Sequence, residues 1–262
     1  MVVGLHKKHS TLSVTNLSIG YGEKTISKNI NFGLEPGELT AIVGINGIGK
    51  STLLRTLGNA QPHLEGCLAV KGKPVAAYSP QDLSSEISMV LTEPIASKNL
   101  SVIELVALGR QPYTNWLGTL TATDKQKIKE TIKSLGLEEL QHKKCYELSD
   151  GQLQRVMIAR ALTQDTSIIL LDEPTTHLDL YHKIQILKLL RSIAHTTKKI
   201  VIFTTHEIEM AIQLCDKMVL LDGKENYFGQ PCELIEQKAF ESLFPSDTVS
   251  FEPKTGSFRI KK

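Results

Sequence analysis

A glycine-rich loop at residues 44–52 has the composition of a clamp for phosphate groups, since it reads Gly-Ile-Asn-Gly-Ile-Gly-Lys-Ser-Thr. Its glycines let successive backbone N–H groups turn toward one centre, and they leave room for phosphate oxygens to approach. Lys50 can reach the β- and γ-phosphates of a nucleotide, and the Ser51 hydroxyl can ligate Mg²⁺. The loop therefore predicts binding of a nucleoside triphosphate with Mg²⁺. Its predicted nucleotide contacts are Gly44, Asn46, Gly47, Gly49, Lys50, Ser51 and Thr52.

The segments on either side of this loop have the patterns that its chemistry requires. Residues 39–43 are apolar and partly β-branched, which is typical of a buried strand. Residues 51–57 carry leucines at helical spacing, so we expect a helix whose N-terminus adds a partial positive charge at the phosphates. The order strand, loop, helix separates a true phosphate loop from a chance run of glycines.

Two adjacent carboxylates follow a second apolar strand, at residues 168–171. Because side chains alternate along a strand, Asp172 and Glu173 point in different directions and can have different functions. We expect Asp172 to hold hydrated Mg²⁺ beside the phosphates, and Glu173 to orient and deprotonate the attacking water. A strand end with two solvated acids is the alternative interpretation.

A helix is predicted to begin after Ser149, which is a good N-cap residue. Asp150 complements the helix dipole in the first turn, and residues 153–162 favour a helix. By itself, this pattern predicts only a helix with a well-formed start.

Composition indicates a folded chain with one substantial core, or a core with an inserted lobe. The chain has 262 residues, of which 41% are hydrophobic and 22% charged, and its net charge is +2. That small charge favours neither a nucleic acid nor a strongly anionic molecule as a partner. No stretch approaches the roughly 18 apolar residues of a membrane span, and residues 1–11 lack the apolar core of a secretory signal. We therefore expect a soluble, cytoplasmic chain.

The four cysteines are far apart in the sequence and form no C-x-x-C or C-x-x-H pairing. This spacing argues against a zinc or redox site, so we expect reduced cysteines that pack in the interior. They are Cys67, Cys145, Cys215 and Cys232.

The order of predicted elements indicates an α/β protein with a P-loop NTPase core, a mixed and mostly parallel sheet, an antiparallel β subdomain and an inserted α-helical subdomain. We expect one domain over residues 1–262, with the core at about 10–93 and 163–222, the helical lobe at about 94–162 and a C-terminal extension at about 223–262. The predicted β segments are 12–36, 66–75, 87–91, 167–171, 199–204 and 257–260. The predicted helical segments are 101–108, 123–135, 180–192 and 231–243. We expect the helix at 123–135 to begin without a full capping box.

Together these motifs resemble the nucleotide-binding subunits of ATP-binding cassette (ABC) transporters, over nearly the whole chain. That family has the glycine loop, a signature sequence, the acidic strand end, a loop with an aspartate and a switch histidine in a fixed order. The same order occurs here, with the signature at residues 148–152, Asp179 in Thr-Thr-His-Leu-Asp, and His206 after an apolar run. The resemblance also implies that Tyr21, in Gly-Tyr-Gly, stacks on the adenine. Ordinary packing in a turn is the alternative for this ring.

The resemblance implies a head-to-tail homodimer in which ATP lies between the glycine loop of one copy and the signature of the other. The Ser149 hydroxyl and the amides that begin its helix would meet the γ-phosphate from the far side. His206 would contact the γ-phosphate and keep the water in line with Glu173, so the implied catalytic residues are Glu173, His206 and Lys50. The residues that the second copy would bring to the nucleotide are Ser149, Gly151, Gln152 and Asp179.

Two positions depart from the family pattern. Asp150 stands where the signature usually has glycine, which adds a carboxylate near the phosphate site. After residues 87–91 the family usually has a glutamine that contacts Mg²⁺ and connects to the membrane subunit, and the aligned residue here is Glu93. A carboxylate can still ligate Mg²⁺, although it places negative charge near the γ-phosphate. Gln81 is the competing assignment, but it precedes the strand that should lead into this loop.

Residues 99–113, which end in Leu-Gly-Arg-Gln-Pro-Tyr, are similar to a segment of importers for iron–siderophore complexes, haem and cobalamin. In that branch the segment faces the permease. We expect Gly109 to end a helix, and Arg110, Tyr113 and Trp116 to offer a cation and exposed rings to a partner groove. Packing within the lobe is the alternative. The resemblance thus implies transmembrane permease subunits as partners, a substrate-binding protein as an indirect partner, and a position on the cytoplasmic face of the cell membrane.

Two other classes share part of this pattern. A cassette ATPase without a permease, of the type that acts in iron–sulfur assembly or on nucleic acid, would share every catalytic motif. The segment at residues 99–113 and the small net charge argue against it. A P-loop kinase or GTPase would share only residues 44–52 and would leave Ser149 and His206 without a role. We therefore expect the ATPase of an importer whose cargo, an iron chelate, haem or cobalamin, is not encoded in any residue of this chain.

Overall fold

The computed structural model describes residues 10–93, 97–223, 225–244 and 247–261, which form three β-sheets and an inserted helical lobe. The predicted lobe boundary at residue 94 and most of the segment 1–11 lie outside the described residues. In chain order, the strands are β1 (Leu12–Tyr21), β2 (Lys24–Leu34), β3 (Leu39–Val43), β4 (Glu65–Val70), β5 (Lys73–Pro74), β6 (Ile87–Val90), β7 (Ile168–Leu171), β8 (Ile200–Thr204), β9 (Lys217–Leu221), β10 (Asn226–Gly229), β11 (Val249–Glu252) and β12 (Ser257–Ile260). The α-helices are α1 (Lys50–Leu57), α2 (Pro80–Ser84), α3 (Val102–Ala107), α4 (Ala122–Ser134), α5 (Asp150–Thr163), α6 (Leu180–Thr197), α7 (Ile208–Leu214) and α8 (Pro231–Glu236).

An antiparallel sheet with the strand order β2-β1-β4-β5 covers one side of the core. It forms from the predicted β segments 12–36 and 66–75, and its apolar side chains pack in one cluster with the leucines of α1. The antiparallel β subdomain is therefore confirmed. Buried members of this cluster include Leu12, Val14, Leu17, Ile19, Leu53 and Leu54.

The larger sheet carries the candidate site and has the strand order β10-β9-β3-β8-β7-β6. Neighbouring strands are parallel except for β10, which is antiparallel to β9. Every residue of β3, β7 and β8 is buried, as expected of parallel strands covered on both faces. The residues that follow these three strands meet at one edge, because the carboxyl ends of parallel strands lie together. The predicted α/β class and the mostly parallel sheet are thus confirmed.

Side chains cap the helices of the inserted lobe. Ser101 forms a capping box with Glu104 at the start of α3, and Thr121 forms one with Asp124 at the start of α4. The expectation that the second of these helices lacks a full capping box is therefore wrong, because the cap precedes the predicted start at residue 123.

The end of α3 also differs from the prediction. The helix ends at Ala107 and continues as a 3-10 segment, Leu108–Tyr113, so Gly109 does not terminate it. A Cβ at Gly109 would lie 2.2 Å from the carbonyl oxygen of Arg160 in α5. Glycine is required here by the close approach of two backbones rather than by a turn.

Arg110 lies buried in this lobe, which corrects the expectation that it faces a partner protein. Its Nε donates to Asp124 Oδ1 at 2.8 Å, and its Nη1 donates to the Thr163 carbonyl oxygen at 3.0 Å. The guanidinium also lies 3.9 Å from the centre of the Tyr113 ring. Hydrogen bonds from Thr121, with a further contribution from Arg110, hold the pKa of Asp124 below its usual value.

Substitution of Arg110 by methionine is expected to lower the free energy of unfolding by about 3 kcal/mol, because the buried Asp124 carboxylate loses its cation. Urea denaturation at pH 7 measures this loss. The control is Lys125→Met, an exposed position next to Asp124 in α4, whose free energy of unfolding should change by less than about 0.5 kcal/mol. Because the folded state lowers the pKa of Asp124, its stabilising effect is present at neutral pH and is lost as the pH falls through that pKa. A loss below about 1 kcal/mol, the range of surface pairs, would contradict a buried pair.

The C-terminal extension packs on the helix that follows His206. The α8 helix ends at Glu236, short of the predicted residue 243, because a separate 3-10 segment, Ala239–Ser242, follows it. The β11 and β12 strands pair in an antiparallel hairpin, which confirms the strand predicted at 257–260. The Phe258 backbone N–H donates to Glu209 Oε1 of α7 at 2.8 Å and so fixes the hairpin to that helix.

The cysteines divide into two groups. All four are free, but only Cys145 and Cys215 are buried, whereas Cys67 and Cys232 are exposed. Burial raises the pKa of both buried thiols. The prediction of interior packing is confirmed for Cys145 and Cys215. It is wrong for Cys67, in the exposed part of β4, and for Cys232, in the first turn of α8.

Candidate nucleotide site

The loop between β3 and α1 can follow its path only because of its glycines. Gly44 has a φ of 152°, and a Cβ at this position would lie 2.4 Å from the Leu221 carbonyl oxygen. Gly49, with a φ of 109°, is the N-cap of α1. Residues that carry a Cβ rarely adopt such backbone angles, so both positions favour glycine. The turn brings the first N–H groups of α1, which lack partners within the helix, to the mouth of the loop.

Lys50 begins α1 and folds its ammonium group back into the loop. Its Nζ donates to the carbonyl oxygens of Gly44 at 3.0 Å and Ile45 at 3.1 Å. Burial lowers the pKa of this amine, and the carboxylates of Glu173 and Asp172 oppose that shift. Phosphate oxygens would offer the ammonium charged acceptors, which bind it more strongly than neutral carbonyls do.

An oxygen-rich cluster lies beside the loop. Asp172 Oδ1 accepts hydrogen bonds from Ser51 Oγ at 2.8 Å and from Thr204 Oγ1 at 2.7 Å. Mg²⁺ prefers oxygen ligands and binds through one or two carboxylates together with water and phosphate. Ser51 and Asp172 fit this requirement. Among the described residues, no group of three or more His, Cys, Asp or Glu side chains could hold a metal by itself.

Glu173 occupies a constrained position as the second residue after β7. Its φ is 45°, a region that residues other than glycine rarely adopt and that clusters at functional sites. The Glu173 backbone N–H donates to Thr204 Oγ1 at 2.8 Å, and its Oε2 accepts from Thr176 Oγ1 at 2.9 Å. His206 Nδ1 lies 3.9 Å from the same Oε2. The sequence prediction missed Thr204 and Thr176, although Thr204 was marked by its place at the end of an apolar strand just before His206.

One cavity of about 540 Å³ brings together most of the predicted site residues. This volume lies within the range of small-molecule sites. Tyr21 lies at its exposed side, with its hydroxyl 3.3 Å from Thr52 Oγ1, so the ring remains accessible to a base. The lining residues are Tyr21, Ile26, Asn46, Gly47, Gly49, Lys50, Ser51, Thr52, Glu173 and His206.

A second group of predicted site residues lies elsewhere in the described part of the chain. Ser149 is the N-cap of α5 and accepts a hydrogen bond from the Gln152 backbone N–H at 3.3 Å. Asp179 is the N-cap of α6 and accepts from the His182 backbone N–H at 2.9 Å. A Cβ on Gly151 would lie 3.1 Å from the His182 ring, so the two helix starts pack together. None of these residues lines the 540 Å³ cavity.

Glu93 lies near Asp172 and Glu173 but is paired with an arginine. Its Oε1 accepts from Arg55 Nη2 at 2.9 Å, and the Glu93 side chain is largely exposed. Glu93 lines a second cavity, of about 290 Å³, together with Asp172 and Glu173. Gln81 lies on the exposed face of α2 and lines neither cavity. Glu93 therefore shares a cavity with Asp172, a member of the oxygen-rich cluster.

The strand–loop–helix clamp, the buried Asp172 and the adjacent Glu173 define the class of this protein as a P-loop nucleoside triphosphatase. The sequence pattern of the family described as ABC transporter matches residues 27–176. The chain belongs to the ABC transporter family as an ATP-binding subunit, an ATPase coupled to transport. No helix in the described ranges is both long enough and apolar enough to cross a membrane.

Several relatives are similar over nearly their full length. An uncharacterized ABC transporter ATP-binding protein of Methanocaldococcus jannaschii is 37% identical over 251 residues, which cover 95% of this chain and 87% of that protein. The iron(3+)-hydroxamate import ATP-binding protein of Bacillus subtilis is 33% identical over 248 residues, with coverages of 94% and 92%. Among solved structures, cbiO1 of Clostridium perfringens, part of the ABC transporter complex cbiONQ, has a TM-score of 0.77 at 29% identity, with coverages of 89% and 93%.

Proposed function

We propose that two copies of this chain form the ATP-hydrolysing unit of an importer for an iron–siderophore complex, haem or cobalamin. One observation carries the proposal: among the described residues, the cavity collects the glycine loop, Glu173 and His206 but not Ser149. A nucleotide in this cavity would leave one side of its phosphates uncovered, and the α5 start of a second copy has the chemistry to cover it. The cargo class is supported by relatives named for petrobactin, iron(3+)-hydroxamate and cobalamin import.

The glycine loop and Tyr21 bind ATP. The Tyr21 ring stacks on the adenine, and Lys50 exchanges its two carbonyl acceptors for oxygens of the β- and γ-phosphates. The backbone N–H groups at the start of α1 donate to the same phosphates. Gly44, Asn46, Gly47, Gly49, Ser51 and Thr52 complete this surface.

Hydrolysis requires a base and a group that holds the reacting water in line. Glu173 takes the proton from the water, and the Thr176 hydroxyl at 2.9 Å fixes its carboxylate. His206 keeps the water and γ-phosphate aligned with Glu173. Ser51 and Asp172 would hold Mg²⁺, with Glu93 as a further contact, and the ion would neutralise the charge that develops on the phosphate oxygens.

The second copy completes the site through its own helix starts. The Ser149 hydroxyl and the first amides of α5 meet the γ-phosphate, because a helix N-terminus attracts anions. Gly151 and Gln152 lie in the first turn of the same helix, and Asp179 begins the helix packed beside it. ATP therefore joins the two copies, and its hydrolysis separates them.

Exposed rings on the helical lobe supply the contact with the permease. Trp116 is 91% exposed, and Tyr113, whose ring stacks on the buried Arg110, is 38% exposed. Aromatic side chains of this kind are enriched among residues that dominate binding energy at protein interfaces. This contact holds the chain on the cytoplasmic face of the membrane. Through it, the permease signals to the ATPase that a loaded substrate-binding protein has bound.

Copurification with a permease tests this function. The tagged chain is extracted from detergent-solubilised membranes of its own host, and the polytopic protein that accompanies it is reconstituted in liposomes with its substrate-binding protein. We expect ATP hydrolysis to rise when a ferric siderophore, haem or cobalamin is added, and to remain absent in the Glu173→Gln variant. If the chain purifies without any polytopic protein, and its rate of ATP hydrolysis is unchanged by each of the three cargoes, the cassette ATPase without a permease would be favoured.

Replacement of Glu93 by alanine is expected to lower ATP turnover by about tenfold, because supporting ligands near a metal commonly contribute 10- to 100-fold. Mg²⁺-dependent binding of a non-hydrolysable ATP analogue should weaken as well, whereas binding measured in EDTA should not change. The exposed Glu139→Ala variant of the helical lobe serves as control. If Glu93→Ala left both turnover and stimulation by cargo unchanged, Glu93 would not be the residue that contacts Mg²⁺ and connects the site to the permease.

A further inference from the structure

The switch histidine lies between two carboxylates. His206 Nδ1 is 3.9 Å from Glu173 Oε2, and His206 Nε2 is 3.5 Å from Glu207 Oε1. Both distances exceed that of a good hydrogen bond, so neither contact alone fixes the exposed ring. The orientation of His206 therefore depends on where these two carboxylates are held.

Glu207 is held from two sides. Its backbone N–H donates to Thr205 Oγ1 at 3.0 Å, and the Thr205 N–H donates to the Ile42 carbonyl oxygen of β3 at 3.1 Å. Its carboxylate forms an ion pair with Lys183 Nζ. The Lys183 and Glu207 side chains are only 21% and 24% exposed, so the pair is partly shielded from the solvent that weakens surface ion pairs.

Lys183 connects this ion pair to the start of α6. It lies in the first turn of that helix, where its backbone N–H donates to the Asp179 carbonyl oxygen at 2.9 Å. Asp179 is one of the residues that we propose at the site shared with the second copy. The first turn of α6 therefore links a residue at the dimer contact with the carboxylate beside His206.

We infer that Lys183 and Glu207 are positioning residues for His206. The ion pair fixes the Glu207 carboxylate next to Nε2, and the ring then keeps Nδ1 directed at Glu173. When the second copy closes on Asp179, a shift of the first turn of α6 moves Lys183, and the ion pair passes this movement to Glu207 and the His206 ring. Neither Lys183 nor Glu207 lines the nucleotide cavity, so both act through the ring. This inference rests on the proposed function, since it assigns the pair to the hydrolytic site.

The split between kcat and KM tests this role. We expect Lys183→Met and Glu207→Gln each to lower kcat by about tenfold, because a displaced catalytic group slows the chemical step. The KM for ATP should change by less than about twofold, since every side chain of the cavity remains. The double variant should be no slower than either single one, because both changes act on one ring. Lys183→Arg keeps the cation and should retain most of the wild-type kcat.

Two further measurements separate positioning from loss of structure. Lys188→Met removes an exposed lysine from the same helix and should keep the wild-type kcat. The ¹⁵N signals of the His206 ring, assigned by comparison with His206→Gln, should shift in Lys183→Met and stay in place in Lys188→Met. Wild-type kcat in Lys183→Met, or failure of Lys183→Arg to restore it, would overturn the inference alone. A wild-type chain without ATP turnover, or full turnover in Glu173→Gln, would overturn the proposed function instead.

Discussion

Replacement of Glu173 by glutamine is expected to reduce ATP turnover by about 10³-fold, because the amide cannot accept the proton of the attacking water. The variant keeps the shape of the side chain and an oxygen that can accept from Thr176, which donates to Glu173 Oε2 in the wild type. Lys50, Ser51 and Tyr21 are unchanged, so ATP should bind at least as tightly as before. Single-turnover hydrolysis and equilibrium dialysis with labelled ATP measure the two quantities.

A matched control for this variant is Glu138→Gln, which makes the same chemical change at an exposed position of the helical lobe. It should hydrolyse ATP at the wild-type rate. Because bound ATP would persist in the Glu173→Gln variant, a stable dimer should accumulate with ATP and dissociate when the nucleotide is removed. A Glu173→Gln chain that turned over ATP normally would contradict the assignment of the general base.

Replacement of Ser149 by arginine is expected to reduce turnover by at least about 10²-fold, the usual loss when one donor to a developing phosphate charge is removed. Binding of ATP to a single copy should stay normal, because Ser149 does not line the cavity that the described residues form. The combination of normal binding and lost hydrolysis distinguishes a residue of the second copy from a residue of the same copy.

The substitution also removes an N-cap, which alone costs about 1 kcal/mol of stability. Ser79→Arg provides the matched control, since Ser79 caps α2 and its side chain accepts from the Asp82 backbone N–H. Both variants should lose similar stability in thermal unfolding, but only Ser149→Arg should lose hydrolysis. Equal turnover in the two variants would contradict a catalytic role for the signature.

The sequence predicts best where one motif fixes both local structure and chemistry. The loop at residues 44–52 requires a strand before it and a helix after it, and β3 and α1 lie there. The alternation of apolar runs and helical segments likewise predicts the parallel sheet, because its buried strands are continuous apolar stretches. These features depend on residues that are neighbours in the chain, so they can be inferred without tertiary contacts.

Predictions were wrong where burial depends on distant residues. Arg110 is expected at a partner groove because its segment resembles one that faces a permease, but Asp124 and the Thr163 carbonyl oxygen accept hydrogen bonds from its guanidinium inside the lobe. Lys183 was missed because it belongs to no motif, and only the fold brings it beside Glu207. Contacts of this kind join elements far apart in sequence, and no local pattern encodes them.

Mixing two inactive variants tests the central claim, that each nucleotide site is shared between two copies of the chain. Lys50→Ala lacks the phosphate clamp and keeps the signature, whereas Ser149→Arg keeps the clamp and lacks the signature. In a mixed dimer, one site combines the intact Lys50 of one copy with the intact Ser149 of the other. We expect the mixture to hydrolyse ATP well above either variant alone. A mixture as inactive as its components, at concentrations where the wild type is active, would contradict the shared site.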